Sequence, residues 1–228
     1  MTDPEERDAT VHGETVGARA YALQPSILVT VHMWLTWAEL AIEHEQEALA
    51  ARQIMLDLHA KGQNFAMEMG RETGESLLAI CSAAFSMDAL VGVWARLVMD
   101  PQTVSKWESP GARINMGNQT DQVLRRVCKG AKTAKELTDR WRVVFSQRGG
   151  AVHFSEVPGP TAPHPSGITN AAEVHSTYSP ETAKAAVDLL IETLNEVESA
   201  SKPKLANWIN DMACPMTALR TKRRLSQS

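Results

Sequence analysis

The chain has 228 residues, 43% of them hydrophobic and 22% charged, and its formal net charge is −4. This is ordinary globular composition on a chain long enough to bury a core, and the small negative charge excludes a general affinity of the whole molecule for nucleic acid. Three cysteines without a Cys-x-x-Cys pair favour a reducing, cytoplasmic compartment over a disulfide framework. The acidic start, MTDPEERDAT, is unlike a secretory signal.

The predicted elements are helices, because Ala, Leu, Met and Glu are plentiful and runs of β-branched residues are few. The expected fold class is therefore all-α. Residues 1–24 are predicted to form a flexible acidic leader. Residues 25–72 are predicted to form an N-terminal helical extension, built on one long helix that Ser26 caps and Gly62 ends.

A second long helix is predicted from about Thr73 to the residue before Pro101, which disfavours helix at the position that precedes it. Apolar residues recur along this helix at steps of three and four, and Asp88 lies on the same apolar stripe. Residues 77–99 are nearly all apolar, as the residues of a membrane span are. The charges of Asp88 and Arg96 favour a buried core helix instead, so no membrane association is expected.

Residues 113–148 are locally basic, with nine Lys or Arg residues against three acids. The segment 101–118 before them is predicted to be a loop or short turns, and helices are predicted near 120–128 and from Lys132 to about Phe145. A surplus of this size suits phosphate binding, although a solvated helical face has the same pattern. The residues expected to contact phosphates are Arg125, Arg126, Lys129, Lys132, Arg140 and Arg142.

Four prolines and two glycines between residues 157 and 178 predict a long loop, with His164 and His175 at the surface. An amphipathic helix follows, with Ser179 as its N-cap and Pro180 at its first position. Residues 201–228 are predicted to form a C-terminal extension with a short helix and a basic tail. The basic residues of that tail are Arg220, Lys222, Arg223 and Arg224.

The common catalytic motifs are missing from the sequence: there is no P-loop, GxGxxG, HExxH or GxSxG. The segment EHEQE around His44 is interpreted as a solvated acidic face, because no second histidine lies at a helical step from His44. No metal and no cofactor are therefore expected.

The segment from Arg148 to His153, RGGAVH, resembles the R-x4-6-H motif of the HEPN superfamily, whose members are all-helical. Arg148 also lies one turn beyond the apolar face formed by Trp141, Val144 and Phe145, so it is expected to point into an interior or interface cleft. The R-x4-6-H pattern fits the sequence at two more places. Those two matches are Arg7–His12, in the predicted leader, and Arg52–His59, which lies on one helix face and is kept as an alternative.

The resemblance covers about residues 73–200 and extends beyond the motif. The segment SAAFSMDALVGVW is similar to the first core HEPN helix, where Asp88 matches an inward acidic residue, and SPETAKAAVDLLIETLNEV is similar to the last. The implied fold is a HEPN-like helical bundle with an extra long N-terminal helix and a short C-terminal extension. Because five helical positions are about 140° apart, Gly149 and Gly150 are expected to distort the helix so that Arg148 and His153 converge.

The resemblance implies a metal-independent endoribonuclease, acting as a toxin or an antiviral, abortive-infection effector. Arg148, His153 and Asp88 are the implied catalytic residues, in a composite site at the interface of a homodimer. The basic residues named above would then bind RNA, and an antitoxin or regulatory protein is a possible partner. The alternative is a non-catalytic HEPN-like module that binds RNA, a nucleotide or a protein.

Overall fold

The computed structural model describes residues 24–109, 115–152 and 160–227, including all their side chains except those of residues 24–32 and 152. The chain divides into two compact units, residues 1–33 and 34–228. Of the first unit, the described part is the beginning of the first helix, and the packing described below is that of the second unit.

The described part of the chain is mostly helical, which confirms the predicted all-α class at that level. Its elements, in chain order, are α1 (Gln24–Ala60), α2 (Ala66–Val98), α3 (Pro101–Glu108), α4 (Met116–Val127), α5 (Ala131–Val152), β1 (Thr161–Pro163), β2 (Asn170–Ala172), α6 (Glu173–Thr177), α7 (Pro180–Ala200), a 3₁₀ turn (Pro203–Leu205) and α8 (Ala206–Leu225).

Local signals account for several of the helix ends. Gly62 follows α1 with φ of 67°, a left-handed conformation that glycine adopts without strain. Asp100 caps α3, because its carboxylate accepts from the Thr103 backbone N–H at 2.8 Å. Ser179 is the N-cap of α7 and Pro180 lies in the first turn, as predicted, and the Ser179 backbone N–H donates to the Thr182 hydroxyl at 3.0 Å.

The core of this unit is centred on α2, which packs against α4, α5 and α7. Trp34, Trp94 and Trp141 are among its largest fully buried side chains. On the α1 side, the Ser86 hydroxyl of α2 donates to the Trp34 carbonyl at 2.7 Å. Fifteen residues of α2 are buried, as the apolar stripe in its sequence predicts.

Among the described helices, α2 alone is long and apolar enough to cross a membrane. In the fold, 56% of its most apolar 18-residue window is buried against other elements. This burial agrees with the interpretation of the segment as a core helix.

Three predictions about irregular segments are wrong. Residues 101–108 form α3 instead of a loop, because Asp100 and Pro101 start a helix there. The segment predicted as a long loop contains an antiparallel hairpin, in which Ala162 pairs with Ala171, followed by the short helix α6. The C-terminal extension carries the 20-residue helix α8 instead of a short helix and a tail.

Candidate functional site

Arg148 lies near the end of α5 and continues its buried face, as its position after Trp141 and Val144 predicts. Its side chain is 22% exposed. The guanidinium carbon lies 5.4 Å from the ring centre of Phe85 and 5.6 Å from that of Phe145. Both distances are within the range of cation–π attraction. Two aromatic rings on different helices therefore hold one permanently charged group at the edge of the core.

Asp88 of α2 faces this guanidinium, with its Oδ2 atom 3.6 Å from the Arg148 Nη1 atom. A direct charge-assisted hydrogen bond is normally 2.7–2.9 Å long, so this ion pair is loose. Partial burial raises the pKa of Asp88 above its ordinary value, and the charge of Arg148 opposes that rise. The structure thus brings together Arg148 and Asp88, two of the three residues implied to be catalytic.

Two cavities meet at Arg148. The first, which we call the acidic cavity, has a volume of about 430 Å³ and includes Asp88, Trp107, Glu108 and Gln119 in its wall. The second, which we call the basic cavity, has a volume of about 610 Å³ and is lined by Asn115, Met116, Gly117, Asn118, Arg142, Phe145, Ser146 and Arg148. Arg148 is thus open to a ligand from two sides.

A glycine at the start of α4 makes room for Arg142 in the basic cavity. A Cβ atom at Gly117 would stand 3.0 Å from the Arg142 Cγ atom and 3.3 Å from its Nε atom. Arg142 therefore lies directly across the first turn of α4, with its Nη1 atom 2.8 Å from the Asp139 carboxylate.

His153 lies outside the described residues, so its place relative to Arg148 stays a prediction. The segment that leads to it differs from expectation, since α5 continues as α-helix through Gly149 and Gly150 as far as Val152. A Cβ atom at Gly150 would stand 3.2 Å from the Tyr178 hydroxyl, which donates to the Gln147 carbonyl at 2.8 Å. The close approach of Tyr178 therefore accounts for Gly150 without a distortion of the helix.

Cys81 is a thiol near enough to this site for the charge of Arg148 to act on it, so we considered it as a nucleophile. Burial raises the pKa of the Cys81 thiol by more than the Arg148 charge lowers it. The thiol therefore stays protonated at neutral pH, which does not favour thiolate chemistry here. No group of three His, Cys, Asp or Glu side chains among the described residues is arranged to hold a metal ion.

The six residues expected to contact phosphates are spread along α4, α5 and the turn between them, and four of them are in ion pairs. Arg125 pairs with Asp121 at 2.8 Å, and Arg140 pairs with Glu192 of α7 at 2.6 Å. Lys132 lies 3.9 Å from Glu136, and Arg142 is paired with Asp139 as described above. For Arg126 and Lys129 no ion pair is found within the described ranges. Three of these partners are the acids already counted in residues 113–148, so only Glu192 further reduces the positive potential that the sequence count indicated.

The prediction that His164 is a surface residue is wrong. Its side chain is completely buried, with the Nε2 atom 3.2 Å from the Oε1 atom of Glu72, which is itself completely buried. Arg52 donates to the same Glu72 carboxylate at 2.6 and 2.8 Å, and to Glu181 at 2.9 Å. His175 is partly buried, and its Nδ1 atom lies 2.6 Å from the Thr73 hydroxyl.

The sequence patterns did not predict this polar network, although Arg52 belongs to an alternative match to the R-x4-6-H motif. The guanidinium of Arg52 is engaged by two carboxylates, whereas His59 lies edge-on to Phe65 at 5.6 Å. Arg52 and His59 therefore serve different local contacts and do not form a shared site. Glu72 and His164 are 92 residues apart, so their contact leaves no periodic pattern in the sequence.

In comparisons with known proteins, no family model, no curated protein and no solved structure matches this chain. Its function is therefore inferred from its own residues.

Proposed function

We propose that this protein is a metal-independent endoribonuclease of HEPN type, acting as a toxin or antiviral effector, with Arg148, His153 and Asp88 in its active site. The observation that supports this most is the setting of Arg148. Its guanidinium is partly buried, held by two aromatic rings, loosely paired with Asp88 and open to two cavities. A phosphate oxygen can replace such a loose carboxylate contact with a shorter, charge-assisted one.

The proposed reaction needs no metal ion. His153 takes the proton of the RNA 2′-hydroxyl, and the 2′-oxygen attacks the adjacent phosphorus. The bond from phosphorus to the 5′-oxygen breaks, and His153 of a second chain protonates the leaving oxygen. The products are a 2′,3′-cyclic phosphate and a 5′-hydroxyl end. Arg148 stabilises the negative charge that grows on the non-bridging oxygens. Asp88 orients Arg148 while no RNA is bound.

Substitutions in the motif test this proposal directly. We expect Arg148→Ala to lower the cleavage rate about 10²- to 10³-fold and His153→Ala about 10²- to 10⁴-fold, because each removes a group that acts in the transition state. Wild-type cleavage should persist in EDTA and leave 2′,3′-cyclic phosphate ends. The measurement is the cleavage of a 5′-labelled RNA, with end groups identified by mass spectrometry.

Arg71→Ala is the matched control, because Arg71 is a surface arginine that also pairs with a carboxylate, that of Glu47 at 2.5 Å. It should cleave at the wild-type rate. Loss of cleavage in EDTA, or full activity of folded Arg148→Ala, would contradict the proposal.

The second candidate is a non-catalytic helical module that binds RNA, a nucleotide or a protein. The ion pairs of Arg125, Lys132, Arg140 and Arg142 favour the form of this candidate that binds a nucleotide or a protein, because they leave less free positive charge for a long nucleic acid. This candidate predicts that wild type and Arg148→Ala both leave the RNA intact and bind it, or a partner, equally well.

A further inference from the structure

The two cavities on either side of Arg148 differ in charge. The acidic cavity combines the carboxylates of Asp88 and Glu108 with the single cation of Arg148. The basic cavity combines Arg142 and Arg148, and its described lining residues include no carboxylate, although Asp139 pairs with Arg142 from outside this lining. A phosphodiester that contacts Arg148 is therefore repelled from the first cavity and attracted into the second. Only the uncharged part of a nucleotide suits the acidic cavity.

The acidic cavity also offers a surface for a planar ring. Trp107 of α3 lines it and packs partly against the core, which fixes the indole in place. Stacking on a tryptophan is the usual way in which proteins hold an unpaired base. The apolar side chains of Val91, Ala95 and Val104 also line the cavity and offer an apolar surface beside the indole.

The polar groups of this cavity determine which base fits. Ionised carboxylates only accept hydrogen bonds, so they select a base edge that donates. Glu108 is held from outside by Arg96, which donates to its Oε1 atom at 2.7 and 3.1 Å. Guanine has two adjacent donors, the N1–H and the 2-amino group, that match the two oxygens of one carboxylate. Adenine, cytosine and uracil each present a single donor position on that edge.

We infer that the acidic cavity is a nucleobase subsite that stacks a guanine on Trp107 and binds its donor edge through Glu108, while the attached phosphate lies at Arg148 in the basic cavity. The inference rests on the proposed ribonuclease function for its account of the phosphate. It adds the substrate class, which is single-stranded RNA cut next to guanosine.

The test measures binding apart from cleavage. The full-length protein is titrated by calorimetry with each of the four nucleoside 3′-monophosphates. We expect guanosine 3′-monophosphate to bind about tenfold more tightly than the other three, and Trp107→Leu and Glu108→Gln each to weaken its binding about tenfold. Equal affinities for the four nucleotides, or no binding, would overturn the inference.

Glu108→Gln guards against a misfolded Trp107→Leu, because Glu108 is a surface residue with a side chain 54% exposed. Its matched control is Glu47→Gln, since Glu47 is also 54% exposed and paired with an arginine, but lies on α1 and does not line the cavity. Glu47→Gln should bind guanosine 3′-monophosphate like the wild type. Wild-type affinity in Glu108→Gln would also overturn the inference.

Cleavage mapping on an RNA of mixed sequence separates this inference from the proposed function. Binding selective for guanosine without any cleavage supports the subsite and contradicts the ribonuclease. Cleavage without preference for a base, unchanged in Glu108→Gln, supports the ribonuclease and contradicts the subsite.

Discussion

Glu72 is a completely buried carboxylate that two basic side chains approach, Arg52 from α1 and His164 from the hairpin. A buried charge is costly without partners, so this contact ties both segments to α2. The His164 Nδ1 atom lies 2.7 Å from the Ser166 hydroxyl and 3.2 Å from the Ser166 backbone nitrogen, and its Nε2 atom faces Glu72. Burial lowers the pKa of His164 more than the Glu72 charge raises it.

This lowered pKa predicts a dependence of stability on pH. In the unfolded chain His164 takes up a proton near its ordinary pKa of 6.5, whereas in the fold it does so only at lower pH. The contribution of His164 to the free energy of unfolding should therefore be complete above pH 6.5. It should fall as the pH drops below that value, by at most about 1.4 kcal/mol per pH unit for one histidine. Urea unfolding between pH 7.5 and 5.5 measures it.

His164→Gln isolates the contribution of this residue, since the amide keeps an acceptor and a donor but does not titrate in this range. The decrease in stability on acidification should be smaller in this variant. A residual decrease is expected from His175, whose pKa burial also lowers. A His164→Gln protein with the full wild-type decrease would contradict the prediction.

At the scale of elements, α8 is attached to the rest of its unit by both rings and charges. Trp208 lies edge-on to Trp94 of α2, with ring centres 5.6 Å apart. Arg223, only 5% exposed, contacts the buried Glu45 of α1 and donates to Asp188 of α7 at 2.6 and 3.0 Å. The prediction of a basic tail is thus wrong, because this segment is a helix and Arg223 binds it to α1 and α7.

Arg223→Met should lower the free energy of unfolding by about 3–5 kcal/mol, because it leaves the Glu45 carboxylate buried without its cation. Burial already raises the pKa of Glu45 even with Arg223 beside it. Adding Glu45→Gln to Arg223→Met should restore part of the loss. Urea unfolding at pH 7 measures both changes.

Lys222→Met is the comparison for that experiment. Lys222 pairs with Glu43 at 2.6 Å, but both side chains are more exposed, at 33% and 53%. Its loss should cost about 0–1 kcal/mol, as for other surface ion pairs. Equal effects of the two substitutions would show that burial of the pair is not what matters.

At the scale of the whole molecule, the proposed reaction needs a base and an acid, and the motif supplies one histidine per chain. We therefore expect a homodimer in which the sites of two chains combine, with twice the mass of one chain in sedimentation equilibrium. An excess of His153→Ala chains mixed with wild-type chains should lower the cleavage rate per wild-type chain, because a site shared by one chain of each kind holds only one of the two histidines that the reaction needs. A fully active monomer would contradict this arrangement.

Much of the fold follows from local patterns. The period of apolar residues in α2 predicts its buried face, Gly62 predicts the end of α1, and Ser179 with Pro180 predicts the start of α7. The position of Arg148 on the apolar stripe of α5 likewise predicts its partly buried side chain. Each of these signals involves residues within a few turns of one another, so it is written in consecutive sequence.

By itself, then, the sequence determined the helical class, the central apolar helix and the inward position of Arg148. The tertiary structure alone decided what surrounds Arg148. It places Asp88 of another helix in loose contact with Arg148, the acidic cavity on one side and the basic cavity on the other. It also decided that Arg140 of the locally basic segment is paired with Glu192 of α7 and that His164 is buried against Glu72. The physical reason is distance along the chain, because these charges are compensated by partners that no local pattern connects to them.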